Sequence, residues 1–233
     1  MRLAHFSERK EVEREALDLL AGTKIGLAVG NPLLGAALSM VPVLSGKVCW
    51  AVTKEKEALQ EAAINKPDLV ILTDVLEQGY GPSLVREIRQ RHPDIKCLIS
   101  LERETADVVE ECLEVGCQGI CFNSNVGAGD GDFLKALKAM ANNAIYYPDE
   151  VRKKAGYVGS TPFAMVLPSD ITEREKEVLI GLTEGLSNKE LADTLFVSID
   201  TVKSHLKNLT QKLGVRDRTG AAIYGIKCGI SRS

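Results

Sequence analysis

The stretch SIDTVKSHLKNLTQKLGV, residues 198–215, reads as one amphipathic helix divided lengthwise by polarity. Val202, Leu206, Leu209 and Leu213 recur at i, i+4, i+7 and i+11, which aligns them on one face because a helix turns once every 3.6 residues. Lys203, Ser204, Lys207 and Gln211 then fall on the opposite face and present donors on successive turns. Ser198 stands where the helix needs an N-cap. A helix of this form fits the major groove of B-DNA, roughly 12 Å wide, where lysine can donate to guanine O6 and N7 and a small serine permits close approach.

On its N-terminal side, residues 188–196 read as a second helix, one that would cross the DNA backbone. Ser187, Asn188 and Lys189 at its start offer free N–H groups and a hydroxyl to a phosphate. Thr172 with Glu175, and Ser187 with Glu190, have the S/T-x-x-E spacing of capping boxes, so two more helix starts are marked. Charge supports the same placement. The 233-residue chain carries a net charge of −3, which spread evenly would argue against a polyanionic partner. From residue 198 to the end, however, seven basic residues face two acidic ones, a local net of +5 that leaves −8 elsewhere. A polyanion should therefore meet the C-terminal end.

The longer segment ITEREKEVLIGLTEGLSNKELADTLFVSIDTVKSHLKNLTQKLGVRDRTGAAIYGIKCGI, residues 171–230, resembles the LuxR-type helix-turn-helix of NarL/FixJ response regulators almost end to end. EGLSNKELA, TVKSHLKNL and KLGVRDRT carry the likeness. The resemblance implies a four-helix domain whose third helix, residues 198–213, enters the major groove. It assigns Lys203, Ser204 and Lys207 to base edges, and Ser187, Asn188, Thr201, His205 and Arg216 to DNA-backbone contacts or scaffold. The last helix, residues 218–229, would be the dimer surface, setting two recognition helices on half-sites about one DNA turn apart.

Upstream the pattern changes. KIGLAVG, KVCWAV, DLVILT, IKCLIS and QGICF are short apolar runs separated by stretches of helical period, the signature of a parallel sheet covered on both faces. Asn31 with Pro32 marks one helix start. The expected architecture is α/β: a receiver-like five-stranded parallel sheet with flanking helices, followed by an all-α four-helix domain. Its parts are a helical extension (1–23), the receiver-like domain (24–146), a linker (147–168) and the helix-turn-helix domain (169–233). The extension rests on Val12, Ala16, Leu19 and Leu20 on one face of a charged helix over residues 7–21. Residues 147–170 hold three prolines and two glycines without a sustained period, and so read as linker.

The strand-and-helix pattern between residues 24 and 143 resembles a response-regulator receiver, most clearly in KPDLVILTDVLEQGYGPSLVREIRQRHPDIKCLISL, residues 66–101. The resemblance brings with it a set of phosphoryl-transfer residues, and these are missing. Val29 and Gly30 occupy the positions of the Mg²⁺-binding acidic pair, Thr73 that of the acceptor aspartate, Leu101 that of the switch hydroxyl and Asn123 that of the lysine. Without carboxylates there is no means of holding the cation that neutralises a transferring phosphoryl group. Asp74 lies one residue late, and neighbouring strand residues point to opposite faces.

The expectation is a dimeric, DNA-binding transcription regulator, not an enzyme, independent of aspartyl phosphorylation. Its partners are double-stranded DNA, a second copy of itself, a protein or small ligand at the pseudo-receiver, and RNA polymerase. Two alternatives stand beside it: a protein-interaction adaptor, and a phosphorelay regulator using Asp74. No cofactor or metal is expected, since the six cysteines show no CxxC pair and His5, His92 and His205 lie far from them. Cys97, Cys112, Cys117 and Cys121 read as buried thiols before a redox sensor. The charged N-terminus and the lack of any run of 18 uncharged apolar residues imply a cytoplasmic protein without a membrane span.

Overall fold

The computed structural model describes residues 14, 17–125, 132–158 and 166–230. In the N-terminal half five strands, β1 (Ile25–Ala28), β2 (Val48–Val52), β3 (Leu69–Thr73), β4 (Lys96–Leu101) and β5 (Gly119–Phe122), form one sheet in the order β2-β1-β3-β4-β5. All neighbouring pairs are parallel. Helices α1 (Pro32–Met40), α2 (Glu55–Asn65), α3 (Gly81–Arg91), α4 (Ala106–Glu114) and α5 (Asp132–Ala141) connect and cover it. Strands β1, β3 and β5 are buried at every position, which is why they read as unbroken apolar runs; edge strand β2 is not.

The period-2 alternation of the strands divides the core in two. Val70, Leu72, Cys97, Ile99, Ile120 and Phe122 pack against α2, α3 and α4. Leu69, Ile71, Leu98 and Cys121 pack on the other face with Ala136, Leu137 and Met140 of α5. The edge is closed by Trp50, so close above β1 that a Cβ on Gly26 would lie 2.1 Å from its ring. Helix α1 begins as expected, the Asn31 side chain accepting from the Leu33 N–H at 2.9 Å with Pro32 following. Because order reverses between β1 and β3, the C-terminal strand ends open a crevice where such sheets bind ligands.

Part of the N-terminal helix reading, including Val12 and Ala16, lies outside the described residues; residues 17–19 are helical and Leu20 is buried beside Ile25 and Leu27. The linker reading needs a correction. Residues 149–158 form helix α6 (Asp149–Val158), with Asp149 and Glu150 in the first turn, where the helix dipole favours acids. Val151, Ala155 and Val158 do stand at i, i+4 and i+7, but Gly156, Gly159 and Pro162 disguise so short a period. Tyr147 just before it is buried, its hydroxyl donating to the Cys117 carbonyl at 2.5 Å.

The C-terminal half is four helices, α7 (Glu173–Thr183), α8 (Asn188–Leu195), α9 (Ile199–Leu213) and α10 (Arg218–Lys227). Both capping boxes form in full. Ile145, Tyr147 and Val151 join one face of the sheet to Val178 and Leu179, so the two halves share a continuous apolar core. Their backbones also touch: a Cβ on Gly185, whose φ is +81, would lie 2.6 Å from the Ile145 carbonyl oxygen.

Candidate nucleic-acid interface

Helix α9 is anchored from one side only. Val202, Leu209 and Leu213 are buried and Leu206 packs beside them, half-buried. Lys203, Ser204 and Lys207 are exposed on the opposite face. Lys203 Nζ lies 3.1 Å from Asp200, with the lysine side chain 61% and the aspartate 89% exposed. An exposed pair of this kind contributes about 0–1 kcal/mol, so a base edge or phosphate can displace the aspartate. Ser204 turns its hydroxyl back to the Asp200 carbonyl at 2.9 Å, which leaves the helix surface low at that turn. The Ser198 side chain accepts from the Thr201 N–H at 3.1 Å and pairs with the Thr201 hydroxyl at 2.8 Å, closing the first turn.

At the start of α8, Ser187 is buried and spends its hydroxyl oxygen on the Glu190 N–H, so it acts as scaffold. Asn188 is half-buried, its side-chain oxygen accepting from Arg218 at 3.1 Å. Arg216 points elsewhere: its guanidinium donates to the Arg89 carbonyl in the N-terminal half at 3.1 Å. The structure therefore brings Lys203, Ser204 and Lys207 onto one accessible face, keeps Ser187 as a cap and Thr201 in the first turn that Ser198 caps, and places Arg216 at the junction between the halves. Lys212 is withdrawn as well, donating to the Asp170 carbonyl and to the buried carboxylate of Glu175, each at 2.7 Å.

At the C-terminal crest of the sheet every expected reactive group is replaced by apolar packing or local hydrogen bonding. Val29 and Leu101 are buried. Thr73 Oγ1 accepts from the Gly30 N–H at 3.1 Å and donates to the Val75 carbonyl at 2.7 Å. Asn123 begins a single 3-10 turn. Asp74 turns to the opposite face, fully buried, and accepts from the Glu102 N–H at 2.7 Å, the Arg103 N–H at 3.4 Å and Arg103 Nε at 3.0 Å. Hydrogen bonding to this carboxylate raises the Arg103 guanidinium pKa. Among the described residues no group of three or more His, Cys, Asp or Glu side chains could hold a metal ion.

Residues 169–224 match the GerE family, described as bacterial regulatory proteins of the luxR family. The transcriptional regulatory protein LnrK of Bacillus subtilis is 30% identical over 188 residues, covering 76% of this chain and 83% of that protein. The chain belongs to the LuxR-type response regulators. The response regulator VraR of Staphylococcus saprophyticus is 28% identical over 172 residues, 74% of this chain and 80% of its own. Solved structures of RcsB from Salmonella typhimurium share the fold, one with a TM-score of 0.51 at 20% identity over 87% of this chain and 97% of that one. A second, RcsB from Salmonella enterica serovar Typhimurium bound to a promoter with a phosphomimetic, has a TM-score of 0.50 at 20% identity over 88% of this chain and 98% of that one.

As a response regulator the chain is a DNA-binding transcription regulator on a receiver-like fold. Sequence reading missed two of its features. Phe196, the αL C-cap of α8 with φ of 55°, is 94% exposed two residues before the N-cap of α9; only its place in the turn between the two helices could have singled it out. Arg103 could not be paired with Asp74 from sequence, since 29 residues separate them and only the sheet order brings them together. The last helix was expected to be a dimer surface. Here α10 packs against α7, α9 and α6, and no residue of it is more than partly exposed: Arg218, Gly220, Tyr224 and Lys227 keep some contact with solvent.

Proposed function

We propose that this response regulator binds a specific DNA duplex as a homodimer in the cytoplasm, reading bases through Lys203, Ser204 and Lys207, and that its output does not depend on aspartyl phosphorylation. The observation that carries the reading is the lengthwise division of α9: its leucines are held in the core while its lysines stay free of the N-terminal half. An adaptor has no need of that face. Independence of phosphate rests on Val29 and Gly30, which bring no carboxylate to a cation, and on Asp74, whose oxygens are committed to Glu102 and Arg103. The promoter in the RcsB structure supports a duplex as the partner.

The test is selection of bound duplexes from a random pool, followed by fluorescence anisotropy on the recovered motif. Lys203→Ala or Lys207→Ala should each cost about 1–3 kcal/mol of binding and relax preference at one position. Log affinity should fall against log salt with a slope of about −0.9 per phosphate contact. A variant with full affinity and preference removes its residue from the readout. Incubation with acetyl phosphate and Mg²⁺ should leave the intact mass unchanged; an acid-labile adduct at high occupancy would restore the phosphorelay reading.

A further inference from the structure

A cleft of about 520 Å³ lies where α10 meets the end of α3 and the turn after α4. That volume is within the roughly 300–1,000 Å³ of pockets that enclose small organic ligands. Its walls divide by chemistry. Leu113, Val115, Val215 and Ile223 give an apolar lining supplied by both halves of the chain. Arg86, Arg89, Arg216 and Lys227 stand around them against two acids, Glu114 and Asp217, so the lining holds a surplus of two positive charges. Arg89 spends its charge on Asp217 at 2.6 Å, and Lys227 faces Glu110 at 3.8 Å. Arg216 donates to a neutral carbonyl, and exposed Arg86 has no ion pair or hydrogen bond among the described residues. Arg86, Arg216 and Glu114 are then the lining charges outside those pairs, so two guanidinium groups stand against one carboxylate and the cleft keeps a net positive charge for a ligand.

We propose that this cleft binds a small organic anion, a carboxylate or sulfonate on a flat apolar body, with the anionic head on Arg86 and Arg216 and the body against Val115, Val215 and Ile223. Arginine suits such a head because its planar fork matches a carboxylate bidentately. A ligand held by both halves stabilises the arrangement that forms the cleft in proportion to its occupancy, and so keeps the α10 surface covered. The inference rests on the regulator reading above and names an input that phosphate chemistry at the crest does not provide.

The probes are 2-naphthoate and its neutral analogue 2-naphthylmethanol, measured by equilibrium dialysis against the full chain. One naphthoate per chain is expected, with the alcohol at least tenfold weaker. Arg86→Glu should weaken naphthoate at least tenfold while its melting temperature and its affinity for the selected duplex without naphthoate stay unchanged. Bound naphthoate should slow amide exchange in α10. Equal retention of acid and alcohol, indifference to Arg86→Glu, or no saturation at millimolar naphthoate overturns the proposal. If the unmodified chain selects no duplex, the regulator reading fails on its own, and the dialysis still reads the cleft.

Discussion

Asp74 and Thr73 are neighbours on one strand, yet they serve opposite faces of the sheet, and that separation decides the chemistry at its crest. Thr73 ties the end of β3 to Gly30 after β1, while Asp74 ties it to the loop after β4. A buried carboxylate with two backbone donors and a guanidinium is a structural anchor, and hydrogen bonds to charged groups contribute about 1.5–3 kcal/mol each. Asp74→Asn should therefore lower unfolding stability by about that amount in urea titration, with amide exchange at Glu102 and Arg103 rising before that of the strands. The cysteines belong to the same argument. Cys97, Cys112, Cys117 and Cys121 are buried, and burial raises all four thiol pKa values, that of Cys117 to about 12. Since the thiolate is the reactive form, iodoacetamide on the native protein should spare these four and modify exposed Cys49. Alkylation of any of the four without denaturant would reopen the redox reading.

Helices α7 and α9 show which parts of an element sequence can state and which it cannot. The leucine stripe of α9 and both capping boxes are local patterns, so spacing alone placed them. The link between the two helices is not local: Lys212 reaches Glu175 across 37 residues. Glu175 is buried at 3% exposure, which works against its charge, but Lys212 and the Thr172 backbone and hydroxyl outweigh this and hold its carboxyl below the ordinary 4.5. Glu190 is lowered too, first by the Ser187 N–H. A carboxylate with a depressed folded-state pKa adds stability that is present above the unfolded value and lost as pH falls through the folded one. The C-terminal half should thus lose stability from about pH 4.5 downward, and Glu175→Gln should flatten that acid limb in urea midpoints measured across pH. On the recognition helix, Leu209→Ala should cost about 2–5 kcal/mol of stability, whereas Lys203→Ala should change it by less than about 0.5 kcal/mol. The reverse order would mean that the helix is seated the other way round.

The arrangement of the two halves was the least legible feature, because it depends on side chains far apart in sequence and on a helix, α6, hidden among prolines and glycines. Arg89 of α3 meets Asp217, the N-cap of α10, across 128 residues, with the arginine side chain only 11% exposed. Arg216 adds its bond to the Arg89 carbonyl, and Lys227 lies against Glu110. Together these contacts hold α10 against the N-terminal half, with Arg218, Gly220, Tyr224 and Lys227 only partly exposed, while the lysines of α9 stay open to solvent. If pairing of two chains runs through α10, these contacts compete with it, whereas the exposed lysines of α9 are accessible in this arrangement. Arg89→Ala tests this with least damage, since Asp217 keeps its capping bond to the Gly220 N–H at 2.9 Å. Removing a partly buried ion pair should cost the closed arrangement about 1–3 kcal/mol, a shift of roughly 5- to 150-fold toward the open one. The radius of gyration from small-angle scattering should rise, sedimentation should show self-association at lower concentration, and the two-half-site duplex should bind more tightly while a single half-site binds as before. If the variant keeps the scattering curve of the parent and gains nothing on the paired site, α10 is held by the shared core around Tyr147 and Val151 instead of by the ion pair.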